Sequence, residues 1–89
     1  MLKSVQKVSE YELPIKVLPQ GNGGYFVAST VWKDCYAQGD TIDEAILEIT
    51  AVAQSLIELY KEEGLEIPLK NAKEKKLANR LMVPVIVSA

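Results

Sequence analysis

Histidine is absent from this 89-residue chain, and cysteine occurs once, as Cys35. The first absence removes Ser-His and Cys-His pairs as nucleophilic machinery. A lone cysteine without histidine leaves no zinc-ligand set, excludes an intrachain disulfide and fits a reducing compartment. No run approaches 18 consecutive apolar residues, so no membrane-spanning helix is expected. The opening Met1-Leu2-Lys3-Ser4-Val5-Gln6-Lys7 lacks the apolar core of a signal peptide. Basic excess is missing too. A net charge of −2 and a pI of about 5.1 speak against direct nucleic-acid binding, which needs a basic face. The expectation is a cytoplasmic protein of one domain, residues 1–89, without a membrane segment. Its core is small for its surface, and association with further copies is the common remedy.

The charges present are unevenly spread. Residues 40–66 carry Asp40, Asp43, Glu44, Glu48, Glu58, Glu62, Glu63 and Glu66 against Lys61. Residues 70–80 carry Lys70, Lys73, Lys75, Lys76 and Arg80 against Glu74. Such a division fits contacts with a copy or a partner better than a nucleic-acid footprint, although two ordinary solvated faces give the same pattern.

Along the chain, Leu13, Ile15 and Val17 alternate with other residues at the period of a half-buried strand. Pro14 cannot donate to a ladder, which places it at a sheet edge or at a strand start. The run Pro19-Gln20-Gly21-Asn22-Gly23-Gly24 supplies a hairpin turn. Tyr25–Trp32 is aromatic and β-branched and reads as a second strand, and Cys35–Gln38 as a short third. Thr41-Ile42-Asp43-Glu44 then matches a capping box, with Glu44 reaching back to the Thr41 amide. From Ile42 to Tyr60 the apolar residues keep a 3-4 spacing, and Gly64 suits a left-handed stop, so one helix spans 42–63. Leu47 and Leu59 lie off the centre of its apolar stripe and either widen the buried face or mark a contact with another subunit. Residues 70–80 form a basic connector, read as a short helix or an arm. Residues 81–88 end in an apolar strand that must pair with its own sheet or a neighbour's.

Taken in order, Gly23-Gly24-Tyr25, Cys35, Gln38-Gly39-Asp40-Thr41, Glu44-Ala45 and Glu62-Glu63-Gly64 with Ile67-Pro68 resemble the pattern of HicB-like antitoxins. The likeness covers roughly residues 11–69, the core of the domain. It implies an α+β fold, a three-stranded antiparallel meander packed on one long helix, described for the family as partial ribonuclease-H-like. Here an additional C-terminal strand follows. The resemblance also implies a role: binding and blocking a HicA-like toxin that cleaves RNA. Two departures stand out. Val31-Trp32-Lys33-Asp34 replaces the Asp-x-Pro-Gly that usually precedes the cysteine. The stretch after residue 69 is too short for the DNA-binding module of full antitoxins.

No residue cluster points to catalysis. Cys35 reads as a small buried apolar group. Asp40, Asp43 and Glu44 are explained by starting a helix rather than by holding a metal ion. Gly21–Gly24 lacks the lysine and the following helix of a phosphate loop. No cofactor, metal or catalytic site is expected, and a ribonuclease-H-like shape would not by itself supply one. Partner binding falls to Trp32, Lys33, Asp34 and Tyr36, with Trp32 the best single anchor, since tryptophan is over-represented at interface hot spots; the equal alternative is that Trp32 caps the sheet–helix core. Self-association falls to Met82, Val83, Val85, Ile86 and Val87. The leading reading is an antitoxin-type binding module. The alternative is an orphan domain of the same fold that associates with itself and has no toxin partner.

Overall fold

The computed structural model describes residues 8–71 and 81–88. Strand β1 (Val8–Pro19) is followed by β2 (Tyr25–Ser29), β3 (Tyr36–Gly39), helix α1 (Ile42–Glu63), β4 (Lys70–Asn71) and β5 (Met82–Ser88). Every pairing is antiparallel: β1 with β2, β4 and β5, and β2 with β3. Among the described residues the fold is α+β, four main strands and the two-residue β4 carrying one helix. The basic connector contributes β4 at its start; residues 72–80 lie outside the described part.

β1 organises the sheet. Its second half, Ile15–Pro19, pairs β2, and its first half, Val8–Pro14, pairs β5. The peptide unit between Pro14 and Ile15 joins the two halves. Its carbonyl accepts from the Thr30 amide at 3.0 Å, and its N–H donates to the Leu81 carbonyl at 3.1 Å. The two groups of one peptide point to opposite edges of a strand, so β2 and β5 flank β1 on opposite sides. Pro14 is therefore neither at a sheet edge nor at a strand start. It is tolerated mid-strand because β2 pairing stops at Ile15 and β4 pairing stops at Glu12, so neither strand requires a donor at position 14.

Helix α1 begins and ends where the sequence puts it. The Thr41 hydroxyl accepts from the Glu44 amide at 3.1 Å, and Gly64 takes φ 73°. The reciprocal half of the box differs: the Glu44 carboxylate accepts from the Asp40 amide at 2.9 Å, one residue before the cap. Gly39 sets how closely the helix start meets β3. A Cβ there would press on the backbone nitrogen of Ala45 and lie 2.8 Å from its Cα.

Ala45, Ile49, Ala53 and Ile57 form the buried stripe at i, i+4 spacing, and the two alanines let the helix approach the sheet. Facing them are Leu13 and Ile15 of β1, Val27 of β2, Cys35, and Val83, Val85 and Val87 of β5. These positions alternate along each strand, so one sheet face forms the core. Leu47 and Leu59 are exposed and do not widen the helix stripe.

Candidate protein-binding surface

The Ser29–Cys35 loop, where partner contacts were expected, is tightly wound. The Ser29 hydroxyl accepts from the amides of Val31 at 3.1 Å and Trp32 at 2.9 Å. The Ser29 amide donates to Cys35 O, and the Cys35 amide to Trp32 O, both at 2.9 Å. This winding turns the Trp32 indole inward, where it is only 4% exposed. It meets Tyr60 edge to face and donates its N–H to the Tyr60 hydroxyl. Trp32 is thus a core residue and cannot serve as a partner anchor in this state. Lys33 and Asp34 stand exposed at the loop tip. Tyr36 is 55% exposed, its ring 5.9 Å from that of Phe26.

Tyr36 also begins the edge strand of the meander. Ser29 pairs with Cys35, so the alternation turns the backbone groups of Ala37 and Gly39 toward β2 as well. Those of Tyr36 and Gln38 point to the free edge. Among the described residues, an exposed aromatic ring, a lysine and an aspartate therefore border a short row of open backbone donors and acceptors.

The five residues assigned to self-association separate by parity. Val83, Val85 and Val87 are buried in the chain's own core, whereas Met82 and Ile86 face outward. Strand β5 finds its partner within the chain, in β1. Its free edge is guarded in two ways. Gln54 Nε2 donates to the Ile86 carbonyl at 3.1 Å, and Pro84, two residues away on the same edge, has no N–H.

Sequence reasoning missed Leu18, Phe26 and Ala28. They alternate with core positions and so lie on the sheet face opposite α1, with Tyr36, Met82 and Ile86. The signal was present: Tyr25–Ala28 is uniformly apolar, the mark of a strand whose two faces both seek cover.

A polar cleft of about 420 Å³ opens beside the β1–β2 turn, lined by Gln20, Asn22, Tyr25, Gln38, Asp40 and Glu44 among others. Its glycine-rich wall is a hairpin turn, closed by Gly23 N donating to Gln20 O and Gln20 N to Gly24 O. The Glu44 carboxylate is engaged with the Asp40 amide. Among the described residues, no group of three or more Cys, Asp or Glu side chains is placed to hold a metal ion. Burial pushes the Cys35 thiol up to about 11, which leaves it protonated and a poor nucleophile near neutral pH. No described helix is long and apolar enough to cross a membrane. No family model, curated protein or solved structure matches this chain.

Proposed function

We propose that this chain is a HicB-like, antitoxin-type binding module that neutralises a small HicA-like RNA-cleaving toxin by covering it. The observation that carries the proposal is the β3 edge, where Tyr36 stands exposed near Lys33 and Asp34, with backbone groups alongside that pair no described strand. Tyrosine supplies a large contact at low entropy cost, and a free strand edge adds main-chain hydrogen bonds to a partner strand. The order of strands and helix, with the Gln38-Gly39-Asp40-Thr41 junction between them, is compatible with the HicB-like, partial ribonuclease-H-like arrangement that the sequence resembles.

In this reading the chain binds and does not catalyse, and it works in the cytoplasm, where its target cuts RNA. Co-expression with a HicA-like toxin from a neighbouring gene tests it. The expected result is restored growth and a co-purifying complex, both lost on Tyr36→Asp and weakened by K33A/D34A. A toxin that neither binds the wild-type chain nor is silenced by it overturns the proposal.

A further inference from the structure

We propose that the outer face of the sheet, opposite α1, is covered by the same face of a second copy of this chain. The usual one-sided antiparallel sheet shows polar residues to water. Here the outward positions hold one apolar group, Leu18, Phe26 and Ala28 on β1 and β2, and a second, Met82, Pro84 and Ile86 on β5, on either side of the charged outward positions Glu10, Glu12 and Lys16 of β1. Leu18 and Ile86 are 43% and 51% exposed, with no described element above them. Exposed apolar groups bordered by charged positions mark an interface.

Charge chooses the occupant. The outward positions of β1 also hold Glu12 and Lys16, on either side of Pro14. Four residues apart on a strand, they are about 13 Å from each other. A two-fold axis near Pro14 that reverses one β1 over the other places Lys16 above Glu12 of the partner subunit, and Glu12 above Lys16 of the partner subunit. Stacking the strands in the same direction would set like over like. In that orientation the Glu12 and Lys16 pairs are self-complementary, as an isologous dimer requires, while Glu10 lies over Leu18 of the partner subunit.

The other candidate surfaces for a second copy are poorer. The exposed side of α1 carries Glu44, Glu48, Glu58 and Glu62, so two such helices would repel. Addition of a strand to β5 is opposed by Pro84 and by Gln54 on the Ile86 carbonyl. Self-association therefore uses the face of the sheet rather than the edge of β5.

Sedimentation equilibrium of the full chain without any toxin, from about 1 to about 100 µM, tests this independently of the proposed function. The wild type is expected to dimerise. Lys16→Glu is expected to raise the dissociation constant about tenfold or more, and the swap K16E/E12K to recover most of the loss. Phe26→Asp should give monomer with unchanged far-UV circular dichroism. If Lys16→Glu disturbs the fold, Glu12→Lys is the independent reading, since it sets a cation over Lys16 of the partner subunit. A monomeric wild type, a dimer indifferent to these charges, or a swap that fails to recover association would overturn the inference. So would a monomeric wild type whose outer face is protected only by bound toxin, which would assign the face to that partner.

Discussion

The Trp32 indole donates its N–H to the Tyr60 hydroxyl at 3.2 Å, and the two rings meet edge to face with centroids 5.0 Å apart. This pair ties the β2–β3 loop to the last turns of α1. Tyr60→Phe keeps the ring contact and removes the acceptor, so it should cost about 1 kcal/mol in denaturant unfolding. Tryptophan fluorescence should stay close to that of the wild type. A strongly red-shifted spectrum in the folded variant would mean that the hydroxyl, not the packing, holds the indole inside.

Gly39 is required for space and not for backbone conformation, since its φ is not positive. Gly39→Ala drives a methyl into the Ala45 backbone, and backbone cannot swing aside as a side chain can. Its cost should exceed about 3 kcal/mol or abolish folding. Gly23→Ala is the control: it has open space but φ 97°, and should cost about 1 kcal/mol. Equal costs on urea unfolding would show that the helix start is not packed this tightly.

Cys35 makes stability depend on pH. Its thiol ionises near 9.0 in the unfolded chain and near 11 when buried, so the folded state holds the proton more tightly. That contribution is fully present below pH 9 and is lost as pH rises through 11. The loss reaches about 2 to 3 kcal/mol. Cys35→Ala should therefore lose less stability than the wild type between pH 9 and 11. Parallel pH profiles for the two would contradict the burial argument. In the native state at neutral pH, the thiol should also resist a chromogenic disulfide reagent until the chain unfolds.

Pro84 guards the β5 edge together with Gln54. Pro84→Val restores an N–H on that edge within an apolar strand, and P84V/Q54A also frees the Ile86 carbonyl. Both should aggregate faster than the wild type in a thioflavin assay, the double variant more so, with little change in unfolding midpoint. Unchanged aggregation would mean that the edge is protected by something else.

How much of this was legible depended on the range of the interaction. The helix was readable to the residue, because Thr41, Glu44 and Gly64 are local chemical stops and starts and the apolar spacing between them is regular. Only the amide that Glu44 reaches was misread, and a shift of one residue at a cap lies below what sequence resolves. The beginning of β1 was hidden because Val8-Ser9-Glu10 carries little strand character alone. Its extension comes from β5, where Val8 pairs Ser88 and Glu10 pairs Ile86. Trp32 was recognisable as important, but the sequence reads it as the end of the second strand, whereas β2 stops at Ser29 and the wound loop turns the indole inward. Of the candidate surface, Lys33, Asp34 and Tyr36 were legible as exposed. Phe26 and Leu18 needed the register of the sheet to place them outside.

The peptide between Pro14 and Ile15 has a consequence for synthesis. One edge of β1 is satisfied by Thr30, which follows closely in the chain; the other waits for Leu81. At about 5 to 20 residues per second, the ribosome leaves that second edge open for several seconds after the hairpin has formed. During that interval the nascent chain presents Leu13 and Ile15 without their full cover. A translational pause placed before residue 81 would prolong that exposure, and with it the need for a chaperone.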